Sequence, residues 1–402
     1  MSRIAQLDIV RGLAIVYVVF IHSVLYNYAH INNVDLAHTP WPLLLLGAMG
    51  LWGGVFVMYS LIVNTFSMFR AGGGRALALR VVAPFIVAGL AYIFIIGTLQ
   101  TLVFGRWAAN TTATQTDLTL VAEVVRGEPL DLHTDRVFTG SGIKSVGLNL
   151  VVVPLVLYFV FWRRGLRDEK RTYAILIAVA LVILAFSYLR LYMYDQWLSD
   201  VLRHNYLSAW LGSLLIANPY PGVAYLSYGF WGVAMGAMYF YKRYDLLRKI
   251  ILPIGAALLA VGVLNIVRYP GTVFGVTEFW YWKMVIETGV FLLLFAGALL
   301  LAHGRKFKPG AVWRFAEPFS RVSLSVYMLE TLTSEMLRPM WFRYSADWQQ
   351  GYAGPLLLGV ANVLVWVVIV FAWKRANYKY SVEYLWVRVF NRLGKRSTKL
   401  TL

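Results

Sequence analysis

The chain has no cysteine among its 402 residues. That excludes disulfides, thiolate nucleophiles and Cys-ligated metals. Charge is scarce as well. Only 14% of residues are charged, and acidic ones are few, 19 against 37 Lys plus Arg. A soluble protein of this length needs more charged surface. What is present instead is long apolar runs, 59% hydrophobic residues and a mean hydropathy of +0.64. These values predict an all-α, polytopic membrane helix bundle. The net charge of +18 does not point to nucleic acid. The basic residues fall in short clusters between apolar runs, as the positive-inside rule describes.

About ten transmembrane helices are predicted, near residues 7–28, 43–69, 81–104, 145–162, 173–193, 222–241, 250–267, 281–302, 318–337 and 353–373. The first run lacks a small-residue cleavage site and is expected to be retained as a span. With ten spans, the basic connections fall on one side. They hold Arg70, Arg75 and Arg80, then Arg163 to Arg171, Lys242 to Lys249, Arg305 to Arg314, and the tail from Lys374. Both termini are therefore expected in the cytoplasm. The two large outer loops, 105–144 and 194–221, mix aromatic and polar residues. Such a surface suits a sugar or a lipid headgroup, and it equally suits an interfacial aromatic belt.

Three ionisable residues stand in the first apolar run, LDIVRGLAIVYVVFIHSVLYNY: Asp8, Arg11 and His22. Charge inside a span is costly and marks a functional site by default. Asp8 and Arg11 share a helix face. Either they read as an ion pair that anchors the helix, or Arg11 belongs with Arg3, Arg70, Arg75 and Arg80 to a cytoplasmic cationic mouth suited to phosphates. His22 lies about 21 Å beyond Asp8 along the helix. It is either a hydrogen-bonded structural residue or a general base. Glu330, in SLSVYMLETLTSEML, enters about 18 Å from the cytoplasmic side, so it can meet His22. Glu287 in the eighth span is expected at the same depth. A carboxylate beside a buried imidazole would fix its tautomer. His133, flanked by Asp131 and Asp135, lacks the further ligands a metal site needs. His30, Asp35 and His38 form a loose group on the first outer loop. No metal is expected.

The residues Arg3, Leu7, Asp8, Arg11, Gly12, Ala14 and His22 resemble the opening motif of the acyltransferase-3 family of integral membrane acyltransferases. Three further stretches are similar to segments of that family: Phe56 to Leu61; Arg75, Arg80 and Pro84; and Phe319 to Leu329. The chain departs from the family pattern at Leu61, where a glycine is usual, and at Glu330, where a histidine is usual. The stretch Ser381 to Trp386 looks more like other branches of the transmembrane acyltransferase group, which includes heparan-α-glucosaminide N-acetyltransferase.

The resemblance implies one integral membrane acyltransferase-like domain over 1–380, with a basic cytoplasmic tail over 381–402. It implies transfer of an acyl group, acetyl being the expected one, from a cytoplasmic acyl-CoA to a hydroxyl of an extracytoplasmic glycan or lipid-linked acceptor. His22, Glu330 and Asp8 would then be catalytic. Arg11, Arg70, Arg75 and Arg80 would hold acetyl-CoA as co-substrate. The expected location is the cell membrane, plasma or inner, among membrane lipids, and the oligomeric state, monomer or homodimer, is left open. The same buried His, Glu and Arg also suit a rival class, a proton-coupled transporter or flippase of a glycan, lipid or small anion.

Overall fold

The computed structural model describes residues 4–29, 40, 41, 43, 46, 53–71, 77–105, 107–109, 116–131, 134–161, 169–269, 275–304 and 310–393. In chain order the elements are α1 (Ala5–Leu25), α2 (Gly54–Ala71), α3 (Leu79–Phe104), β1 (Trp107–Ala109), β2 (Thr116–Leu118), α4 (Leu120–Arg126), α5 (Gly142–Phe161), α6 (Lys170–Leu202), α7 (Tyr206–Leu215), α8 (Gly222–Phe240), α9 (Tyr244–Ile266), α10 (Glu278–Gly304), α11 (Ala311–Arg321), α12 (Ser323–Tyr344), α13 (Ala353–Arg375) and α14 (Val382–Leu393). β1 and β2 form a short antiparallel hairpin, a departure from the purely helical expectation. Residues 43–53 of the second expected span lie largely outside the described residues.

Eight of these helices are long and apolar enough to cross a bilayer: α1, α2, α3, α5, α6, α9, α10 and α13. Their outward faces carry exposed side chains such as Phe159, Phe186, Leu264 and Val368. Apolar surface of this kind belongs in hydrocarbon, and a helix satisfies its own backbone there. The protein is thus a multi-pass membrane protein. α8 and α12 are not among those eight, for a structural reason. α8 is enclosed on nearly every side, with Tyr225, Tyr228 and Trp231 fully buried, so it needs no apolar lipid face. α12 carries Glu330, Glu335, Arg338 and Arg343 and buries its acidic groups inside the bundle.

Four apolar clusters form among the described residues, two of them large. One surrounds α8 and draws on α2, α5 and α10. The other joins α1 to α11, α12 and α13 through Ile15, Val19, Phe319, Val326 and Trp366. α1 approaches α11 so closely that a Cβ on Gly12 would stand 2.0 Å from the carbonyl oxygen of Ala316. Only glycine fits that crossing.

Several connections are more ordered than their sequence suggests. The stretch 194–221, expected as an outer loop, is mostly helix, the end of α6 followed by α7. In the stretch 105–144, expected as the other large loop, α4 is clamped to α12 by Arg126, whose Nε and Nη2 donate to the Glu335 carboxylate at 3.0 and 3.2 Å. The stretch expected as a tail begins as α14, which docks on the bundle. Glu383 accepts from the backbone N–H groups of Leu324 and Ser325 at 2.6 and 3.3 Å and from the Ser325 hydroxyl at 2.5 Å. It therefore satisfies donors that the first turn of α12 leaves open. Burial pushes the Glu383 carboxyl above its ordinary range, and these hydrogen bonds pull against that rise.

Candidate functional site

A cavity of about 940 Å³ opens inside the bundle. It is bounded by α1 and α12 on one side and by α2, α3 and α5 on the other, with Trp386 of α14 also on its wall. Most of its lining is apolar, including Ala14, Val18, Phe56, Phe85 and Val146. Polar groups gather at its two ends. Arg11 and His22, both in the lining, lie 11 residues apart on α1 and so about 16 Å apart along its axis.

At the deep end, His22 Nδ1 lies 2.7 Å from Glu330 Oε1. His22 is 6% exposed and Glu330 2%. A carboxylate is an acceptor, so Nδ1 carries a proton, and in the neutral imidazole Nε2 then holds the lone pair. Nε2 has no protein partner among the described residues. The imidazole is flanked by Tyr26 at 5.0 Å and Tyr327 at 6.0 Å between ring centroids. Glu330 Oε1 also accepts from the Thr331 hydroxyl at 3.1 Å, while Oε2 is buried without a partner among the described residues.

A layer of small polar side chains holds this pair. Asn362 of α13, 0% exposed, donates from Nδ2 to Ser23 Oγ at 2.8 Å and to the Glu330 carbonyl at 3.2 Å. Thr333 Oγ1 lies 2.6 Å from Asn362 Oδ1 and 2.9 Å from the same carbonyl, and it accepts from Trp366 Nε1 at 2.8 Å. One amide thus ties α1, α12 and α13 together at the depth of the His–Glu pair. Buried polar groups this fully satisfied rigidify their surroundings.

At the other end, Arg11 Nε donates to Ser320 Oγ at 2.9 Å, and Ser320 Oγ donates to Asp8 Oδ1 at 2.9 Å. Tyr59 donates to the same carboxylate oxygen at 3.3 Å, and its ring lies 4.4 Å beneath the Arg11 guanidinium. The Nη groups of Arg11 have no protein hydrogen bond among the described residues. They are therefore open to an anion.

The structure redistributes the residues singled out from sequence. His22 and Glu330 meet. Asp8 sits with Arg11 at the opposite end of the cavity, about 21 Å from His22, so its carboxylate positions the guanidinium and takes no part in the histidine pair. Glu287 is not drawn to His22. Tyr228 donates to its Oε2 at 3.0 Å, and Lys283 Nζ lies 3.4 Å from its Oε1. Arg70 and Arg80 are exposed near helix ends and do not line the cavity. Arg3, Arg75, His30, Asp35, His38 and His133 lie outside the described residues, as do 162–168 and 305–309 among the basic connections. No group of three or more metal-ligating side chains occurs among the described residues. Tyr59 and Ser320 fall in the stretches Phe56 to Leu61 and Phe319 to Leu329 but carried no assigned role in the sequence, and Asn362 was not singled out. Sequence reasoning also missed two π-turns in α3, at Tyr92–Ile96 and Gln100–Phe104, which carry Tyr92 and Gln100 toward the cavity region. Comparison with protein-family models and with curated proteins returns no match.

Proposed function

We propose that the protein is a membrane acyltransferase, moving an acyl group, acetyl as the expected one, from a cytoplasmic acyl-CoA to a hydroxyl of an extracytoplasmic glycan or lipid headgroup. The observation that carries this reading is the His22–Glu330 pair at one end of a cavity whose other end holds Arg11. The Arg11 guanidinium would bind CoA phosphate. The apolar shaft between would take the extended pantetheine arm and place the thioester at Nε2. His22 would remove the acceptor hydroxyl proton as the oxygen attacks the thioester carbon. The C–S bond then breaks, and the leaving thiolate takes the same proton from Nε2. Glu330 would hold the tautomer and stabilise the transient imidazolium.

In this reading the chain crosses the bilayer ten times, with both termini in the cytoplasm. The 22 residues of α12 span about 33 Å and the 19 of α8 about 28 Å, near the thickness of the hydrocarbon core. Those two crossings put every basic connection on one face, the cytoplasmic face of a plasma or inner membrane.

The test is thioester turnover. Purified protein in nanodiscs is given acetyl-CoA and a pooled glycan and lipid acceptor fraction, and free CoA is followed. Wild type is expected to release CoA, and His22→Ala to lose about 10²-fold or more of the rate. Undiminished release by His22→Ala would remove the base assignment. Absence of both acetyl-CoA binding and CoA release would remove the acyltransferase and favour the transporter class.

A further inference from the structure

Tyr327 stands one turn before Glu330 on α12, so the two side chains leave the same helix face. It lines the cavity beside His22, with Tyr220 close by on the same wall. The transfer proposed above gives neither phenol a task. The partners of Tyr327 indicate where its proton points. The Ser141 hydroxyl donates to Gln100 Oε1 at 2.8 Å, which leaves the amide NH2 end of Gln100 as a donor. Gln100 and Tyr220 are the polar side chains that act on the Tyr327 hydroxyl. An amide N–H can only donate, so toward Gln100 the phenol oxygen can only accept, and its own proton is left for Tyr220 or for an acceptor in the cavity. The space before that hydroxyl is kept by Gly142, also in the lining, where a Cβ would stand 3.3 Å from the Tyr327 oxygen.

Attack on a thioester moves the carbonyl π pair onto oxygen. In an apolar cavity that charge needs a fixed donor. We infer that the Tyr327 hydroxyl is a catalytic residue that donates a hydrogen bond to this oxyanion, an inference that rests on the acyl-transfer reading. As the acceptor oxygen bonds to the carbonyl carbon, its proton passes to His22 Nε2. Tyr327 holds the oxyanion without giving up its proton. The electron pair then returns, the C–S bond breaks, and the thiolate leaves with the proton from Nε2. Tyr220 positions the phenol.

The experiment compares Tyr327→Phe with wild type in the same CoA-release measurement, together with thermal melting. The expected result is a kcat lower by about 10²-fold, the loss typical of one oxyanion donor, with KM for acetyl-CoA and melting temperature unchanged. Full turnover by Tyr327→Phe overturns the inference, and so does a rise in KM at unchanged kcat. If Tyr327→Phe melts early, 3,5-difluorotyrosine at position 327 keeps the ring and makes the phenol more acidic. A kcat identical to wild type in that protein overturns the inference too. If wild type releases no CoA, the acyl-transfer reading fails and takes this one with it. Wild-type turnover with an active Tyr327→Phe sinks the inference alone.

Discussion

With Nδ1 held by Glu330 at 2.7 Å, the imidazole of His22 keeps one nitrogen for chemistry. Glu330→Gln preserves the shape of this contact and an acceptor for the Nδ1 proton. It removes the negative charge that would stabilise an imidazolium. CoA release is expected to fall roughly 10²- to 10⁴-fold, the range for a disabled acid–base group, while acetyl-CoA binds as before. Arg11→Ala should show the opposite pattern. A charge-assisted hydrogen bond contributes about 1.5–3 kcal/mol, so acetyl-CoA binding should weaken roughly 10- to 100-fold with less effect on kcat. Both are read by titrating acetyl-CoA against each variant and measuring turnover at saturation. If the two substitutions change the same parameter, the division of the cavity into a binding end and a reacting end is wrong. His22, Glu330 and Arg11 were legible in the sequence because an ionisable side chain is rare in an apolar run. Their supports were not. Ser23, Ser320, Thr333 and Asn362 are ordinary in membrane helices, and the partners of Ser320 and Asn362 lie hundreds of residues away in sequence. Tyr327 was one of 25 tyrosines; it fell in the stretch Phe319 to Leu329, but only its neighbours in space suggest a task for it.

α14 shows how an element changes role once its partners are visible. From sequence it opens a basic tail. In the structure its first turn supplies the carboxylate that caps α12, the helix carrying Glu330 and Tyr327, and its Trp386 reaches the cavity wall. Side-chain caps contribute about 0.5–2 kcal/mol. Glu383→Ala removes the Glu383 acceptors of two backbone N–H groups and of the Ser325 hydroxyl, so melting should shift to lower temperature and the 382–402 segment should become more sensitive to protease. A variant as stable and as resistant as wild type would show that α14 docks through its apolar face alone. Local pattern gave most of the spanning helices, because their apolar runs are long. It gave neither the π-turns of α3 nor the one in α9 just before Pro253. That proline lacks the N–H needed to continue the regular ladder. The helices after α6 and β2 were read as loops, since their mixed polar and aromatic composition reports the membrane interface more strongly than periodicity.

At the scale of the whole molecule, the question is whether α8 and α12 cross the membrane. Hydropathy favours eight crossings because it scores each helix as though it faced lipid. α8 faces protein, so its glycines, tyrosines and serines cost nothing there. Close packing supports this. A Cβ on Gly232 would stand 2.7 Å from the Met58 carbonyl oxygen, and one on Gly236 2.7 Å from that of Ile62, so α8 and α2 run together for more than a turn. α2 is itself apolar enough to span, so α8 is expected at the same depth. The absence of cysteine makes the point directly testable, since any single introduced cysteine is the only thiol. Asn205→Cys lies before α7 and Asp245→Cys follows α8, and both positions are exposed. If α8 crosses, a membrane-impermeant maleimide applied to intact cells should label Asn205→Cys and spare Asp245→Cys until the membrane is opened. Labelling of both from outside would place α8 on one side of the bilayer. It would also move the connection Lys242 to Lys249 out of the cytoplasm, against the positive-inside rule. The donor could then no longer be assigned to the cytoplasmic side from charge alone, because Arg11 owes its assignment to the same alternation.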